Sequence, residues 1–216
     1  MPSLREQTDA RIESTRQNNP KFAKLVDELL SSADTFQSGA GALSLGQNAP
    51  DFLLPNSKGE SVSLTNLLSN GAVVLTFYRG NWCPYCNLQL RALQQRLADI
   101  HALQAQLVAI SLQMPDESLS TIEQETLGFP VLSDAGARVA AEYGVAWQVP
   151  DLILDHMRVD RNLELAKING GNGNVLPIPA TFVLNQDGIV TWRFVDVDYR
   201  HRAEPNEILE ALQQLV

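Results

Sequence analysis

TFYRGNWCPYCNLQL, residues 76–90, carries the only two cysteines of the chain, Cys83 and Cys86. The apolar run Val73, Val74, Leu75 comes just before it, and Leu90, Leu93, Leu97 and Ile100 repeat at helical spacing after it. A buried strand therefore delivers a dithiol to the start of a helix of about five turns. Unpaired backbone N–H groups and the helix dipole favour negative charge there, so at least one sulfur should be unusually acidic. Pro84 suits a first helical turn, where its missing N–H costs nothing. Sulfurs one turn apart can close a disulfide with little backbone movement, so the pair points to reversible thiol–disulfide chemistry.

Three plainer readings compete. Zinc needs four ligands, no second cysteine pair exists, and His101, His156 and His201 are scattered without ligand spacing. A structural disulfide of this spacing closes a short ring and gains little loop entropy. Two inert buried thiols would not explain the placement between strand and helix, which favours a redox pair. Arg79 stands between strand and dithiol, where a guanidinium could lower a cysteine pKa or hydrogen-bond an oxyanion. The competing reading is a surface arginine paired with an acidic neighbour. Trp82 and Tyr85 flank the pair as walls of a site or as simple packing.

The chain has 216 residues, with 16 basic against 25 acidic side chains and a formal charge of -9. That balance excludes nucleic acid and anionic membrane as expected partners, since phosphate binding is driven by clustered Lys and Arg. The longest apolar runs are of strand length, and MPSLREQTDARIESTRQ has charges where a signal peptide has its apolar centre. These features predict a soluble cytoplasmic protein, a reducing setting in which a Cys-x-x-Cys pair works rather than staples.

Residues 1–44 are expected to form an N-terminal helical arm and linker, and residues 45–216 the main domain. In the first 18 residues only Leu4 and Ile12 are candidates for burial. Phe22, Leu25, Val26, Leu29 and Leu30 then form one apolar helix face, to be covered by the protein's own core or by a partner subunit in a homodimer. SGAGALSLGQ, residues 38–47, links arm to domain. A hairpin around residues 56–59, a short helix or turn at 64–71, a strand at 107–111, a helix at 115–128, a short strand in FPVLSD and a helix ending at Gly144 follow. Residues 145–176 read as a helix or irregular cover. PIPATFVLNQDGIVTWRFV reads as two alternating strands joined at Gln186–Gly188, before a last helix with Ile208, Leu209, Leu212 and Leu215 on one face. The polar run with Asp196, Asp198, Tyr199, Arg200 and Arg202 reads as a strand-to-helix connection outside the site.

With Trp82-Cys83-Pro84-Tyr85-Cys86 after a buried strand and Pro179 before the penultimate one, the chain resembles the thioredoxin fold, an α/β architecture with a central mixed sheet flanked by helices. Within that superfamily, APDFLLPNSKG, VVLTFYRG, FPVLSD and ATFVLNQDG resemble phrases of the peroxiredoxins, in the same order. That resemblance places Cys86 at the peroxide-reacting cysteine, Cys83 at the motif threonine, Arg79 at the motif proline and Pro179 where a later arginine would stand. Cys-Pro-Tyr-Cys is also the glutaredoxin tetrapeptide, and by that resemblance Cys83 attacks and Cys86 resolves. Ile178-Pro179 would then hold a cis-proline lying against the dithiol and offering backbone to a substrate, alongside Trp82, Pro84 and Tyr85. Thioredoxins hold a buried aspartate where this chain has Phe77.

The resemblance implies a thiol-dependent antioxidant oxidoreductase cycling Cys83 and Cys86 between dithiol and disulfide. Its substrate would be a hydroperoxide or a disulfide, its reductant thioredoxin, glutaredoxin or glutathione, with no metal or bound cofactor. The sequence leaves open which cysteine attacks. The alternatives are protein thiol–disulfide exchange without peroxidase activity, and a non-catalytic redox-sensing or protein-binding module.

Overall fold

The computed structural model describes residues 2–31, 39–115 and 127–215. Helices α1 (Leu4–Asn18) and α2 (Pro20–Ser31) form the N-terminal arm. Ser3 starts α1 with a capping box: its hydroxyl accepts from the Glu6 N–H, and the Glu6 carboxylate accepts from the Ser3 N–H. Strands β1 (Leu53–Pro55) and β2 (Ser61–Ser63) make the expected hairpin, and α3 (Leu64–Leu68) leads into β3 (Ala72–Phe77). Next come α4 (Pro84–Gln95), α5 (Leu97–Ala102), β4 (Ala105–Ser111) and β5 (Val131–Ser133). The segment that follows holds α6 (Arg138–Glu142), β6 (Ala146–Gln148), α7 (Asp151–Arg161) and α8 (Leu165–Ile168). Strands β7 (Val175–Pro177), β8 (Ala180–Leu184) and β9 (Val190–Val195) and helix α9 (Pro205–Gln213) complete the order.

The central sheet runs β5-β4-β3-β8-β9. Strand β3 is parallel to β4 and antiparallel to β8, so the sheet is mixed and the dithiol-bearing strand lies at its middle. Alternate β3 residues divide the core. Val74 joins Leu90, Leu93, Ile208 and both cysteines under α4 and α9, whereas Val73, Leu75 and Phe77 pack with Tyr143 and Phe182 on the other face. Gln89 on α4 is buried and donates to Thr76 Oγ1 at 3.1 Å, which fixes the helix one turn beyond Cys86 against the sheet.

Four expectations are corrected. The predicted five-turn helix is two helices meeting at Arg96 (φ -106, ψ 8), whose side chain bonds Asp99 and Asn206 rather than continuing the regular turn. Residues 145–176 contain β6, which pairs antiparallel with β7, around the helical cover. Strand β8 does not alternate but is buried throughout, because it lies between β3 and β9. No peptide bond among the described residues is cis. The backbone at Ile178-Pro179 continues from β7 into β8, with the Ile178 N–H bonded to Val145 O at 2.7 Å and Pro179 O accepting from Asp196 N at 3.4 Å, an extended path that suits the ordinary trans isomer. Most of the helix expected over 115–128 lies outside the described residues.

Both N-terminal helices pack on the rest of the chain. Leu4, Thr8 and Ile12 of α1 are buried, and Ile12 joins the cluster that holds both cysteines. Ala23 and Val26 are buried on α2, so part of its apolar face is covered within the chain. Asp27 of α2 accepts from Arg200 Nη1 at 2.6 Å, and Arg5 N–H of α1 donates to Glu204 at 2.5 Å.

Candidate active site

Cys83 is the N-cap of α4 and Cys86 lies in its first turn, with Pro84 between them where no N–H is needed. The preceding turn is held from two sides. Gln113 Oε1 accepts from the Asn81 N–H at 2.6 Å, Asn87 Nδ2 donates to Asn81 O at 2.8 Å, and the Cys83 N–H closes onto Gly80 O at 3.1 Å. Gly80 has φ +151, and a Cβ there would meet Trp82 Nε1 at 2.4 Å. The turn thus needs glycine to bring the dithiol against the end of β3.

Both thiols are free and buried, Cys83 at 1% exposure and Cys86 at 0%. Arg202, itself 5% exposed, donates from Nη2 to Cys86 Sγ at 3.3 Å and lies 4.0 Å from Cys83 Sγ. Its other amino group donates to His201 O at 2.6 Å and to Tyr199 O, so the guanidinium is fixed by backbone. Arg79 is not a surface arginine: it is 5% exposed, with its guanidinium 4.0 Å from the Tyr199 ring centre and 5.0 Å from that of Trp82. Tyr199 in turn meets Tyr85 edge-on at 5.8 Å.

These contacts separate the two sulfurs. Burial pushes the Cys83 thiol up, and its hydrogen bond to Cys86 and the charge there push it further. At Cys86 burial acts in the same upward direction but is overcome by the bond from the Cys83 thiol, by the Arg202 and Arg79 cations and by the Arg79 backbone N–H. The Cys86 thiol is held well below its ordinary range and the Cys83 thiol well above it, which makes Cys86 the more acidic sulfur of the pair.

Access favours the other sulfur. A cavity of about 350 Å³ lies between the arm, the dithiol turn and α7, and Cys83 lines it while Cys86 does not. Trp82, Pro84 and Tyr85 also line it, with Ile12 and Phe22 from the arm. Tyr85 takes a hydrogen bond with Thr15 of α1. The pairing of Ala180 with Phe77 sets Pro179 beside the end of β3, where the dithiol turn begins. Ile178 and Pro179 are both buried, neither lines the cavity, and Ile178 packs in the cluster on the sheet face away from the cysteines. Among the described residues no group of three or more His, Cys, Asp or Glu is placed to hold a metal ion.

Arg202 and Tyr199 were not expected here. They lie in the polar run read as a mere connection, and Arg202 is 116 positions from Cys86. No local pattern marks them. The connection after β9 returns across the end of the central strand, and that return brings a cation to the sulfur.

A mixed five-stranded sheet with β3 at its middle and a polarised dithiol at the N-terminus of the following helix defines a thioredoxin-fold protein of the thiol-redox class. The chain belongs to the AhpC/TSA family, whose model matches residues 45–193. It is similar to peroxiredoxin Bcp of Escherichia coli (strain K12), 31% identical over 103 residues, a match covering 48% of this chain and 65% of that protein, just under two thirds of its length. Thiol-disulfide oxidoreductase ResA of Halalkalibacterium halodurans is 26% identical over 127 residues, covering 58% of this chain and 68% of that one. Peroxidoxin BcpB from Mycobacterium tuberculosis has a similar structure, with a TM-score of 0.62 and 24% identity over 81% of this chain and 99% of the other. Among the described residues no helix is long and apolar enough to cross a membrane.

Proposed function

We propose that the protein is a thiol peroxidase of the peroxiredoxin type, with Cys86 as the attacking sulfur and Cys83 as the resolving one. The observation that carries this is the Arg202 guanidinium on Cys86 Sγ at 3.3 Å, against 4.0 Å to Cys83. The Cys86 thiolate attacks one oxygen of the peroxide, forming an S–O bond as the O–O bond breaks; the leaving alkoxide or hydroxide takes up a proton. Arg202 and Arg79 stabilise the negative charge as it passes from sulfur to oxygen. The Cys83 thiol then condenses with the Cys86 sulfenic acid, releasing water and leaving a disulfide. A dithiol reductant of the thioredoxin type, or glutaredoxin or glutathione, returns both thiols in the cytoplasm. The arm, residues 1–44, acts as a cover on the catalytic domain, residues 45–216.

The test is intact-mass analysis of pre-reduced Cys83→Ser with one equivalent of hydrogen peroxide and a sulfenic-acid trap. Rapid trapping at Cys86 is expected. An unmodified mass, with Cys86→Ser forming mixed disulfides readily at Cys83, selects a second reading: thiol–disulfide exchange initiated by Cys83. That reading is favoured by the cavity, which Cys83 lines, and by the similarity to ResA.

A further inference from the structure

The cavity beside Cys83 is lined by five arginines and, among the described residues, by no aspartate or glutamate, in a chain of net charge -9. Three of the five are engaged. Arg200 bonds Asp27 and Asp198, Arg16 bonds Asp27 at 3.4 Å, and Arg79 lies over the Tyr199 and Trp82 rings. Arg11 of α1 and Arg161 of α7 are exposed and have no ion pair among the described residues. Phe22, Leu25, Ile153 and Met157 supply apolar wall. The lining therefore combines two solvent-exposed arginines, hydrocarbon and a buried sulfur. At about 350 Å³ it is the size of a small-ligand site.

We infer that this cavity binds an amphipathic carboxylate of medium chain length, its anionic head held by Arg11 and Arg161 and its chain reaching the dithiol turn, where Cys83 is the cavity-lining neighbour of the attacking Cys86. A neutral apolar ligand would fill the hydrocarbon part but leave both arginines facing only water. A small polar anion would meet the arginines but leave the walls uncovered. Only a molecule with both parts satisfies the whole lining. Arg11 lies outside residues 45–193 that match the family and Arg161 inside them, so the site combines the N-terminal helices with the common domain. The inference rests on the peroxidase reading for what happens at sulfur, and on the cavity alone for binding.

Binding is read by titrating the intact reduced protein with decanoate and with decan-1-ol by isothermal calorimetry. The wild type should bind decanoate about tenfold or more tightly than the alcohol, and Arg11→Gln/Arg161→Gln should bring the ratio near one. Far-UV circular dichroism checks the fold of the variant, whose two changes are on exposed side chains. Turnover then identifies the ligand. If the carboxylate is carried by the oxidant, kcat/KM for a carboxylate-bearing hydroperoxide relative to tert-butyl hydroperoxide falls in the double variant. If it belongs to an inhibitor, decanoate raises KM for both peroxides in the wild type, and either result supports the site. Equal affinities for decanoate and decan-1-ol, no binding of either, or an unchanged ratio in the variant overturns it. A protein that binds decanoate but reduces no peroxide defeats the peroxidase reading alone; one that reduces peroxide but binds decanoate no more tightly than decan-1-ol defeats this inference alone.

Discussion

Arg202 is the side chain on which the polarity of the dithiol turns, because it is the cation nearest to Cys86 and is itself clamped to backbone carbonyls. Replacing it by Met should raise the pH at which Cys86 titrates and slow its reaction with hydrogen peroxide at neutral pH by roughly 10²–10³-fold. The sign follows from the lowered pKa: the reactive thiolate is present above it and lost as pH falls through it, so the variant loses reactivity at higher pH than the wild type. Arg79→Met should act in the same direction but less, since its guanidinium is stacked between two aromatic rings. The pH dependence of Cys86 alkylation measures both, and an unmoved curve in Arg202→Met would falsify the assignment. Cys83, Cys86 and Arg79 were legible in the sequence because they are contiguous with the strand and helix that place them. Arg202 was not, because its partner sulfur is brought to it by the return of a chain 116 positions away.

At the level of elements, the turn between β3 and α4 is the rigid part of the site. Gly80→Ala would drive a Cβ to 2.4 Å from Trp82 Nε1 and 2.9 Å from Gln113 Oε1, the side chain that holds the Asn81 N–H. The expected cost is about 1–3 kcal/mol in urea denaturation. Displacement of the dithiol turn should accompany it, read as faster alkylation of Cys83. The hydrophobic runs marked β3 and β4 plainly, since central strands must be apolar on both faces, whereas β8 was legible as a strand but not as a central one. They gave no sign of the break at Arg96, where ordinary helix formers surround the change of direction. Strands β6 and β7, three residues each, are too short for a period-two pattern to appear.

For the whole molecule, the arm and the domain are joined by a charge network as well as by packing. Arg200 and Arg16 hold Asp27 below its usual range, and Asp198, although burial opposes it, is held down by Arg200. Carboxylates with depressed folded pKa values contribute above their unfolded pKa and lose that contribution as pH falls through the folded one. Hydrogen-exchange protection of the α2 amides should therefore stay level from neutral pH to about 4 and decline below it. Asp27→Asn should lower protection at neutral pH and flatten the decline. Amphipathic spacing showed that α2 needed a cover, and the folded chain answered in part with α7: Phe22 stacks on His156 at 4.0 Å.

Because Ile12 sits in the same cluster as Cys83 and Cys86, docking of the arm and the oxidation state of the sulfurs are thermodynamically linked. Each tenfold by which the arm holds more tightly to the dithiol than to the disulfide raises the two-electron midpoint potential by about 30 mV. The arm thereby becomes a term in the electrochemistry of the protein, readable with an electrode.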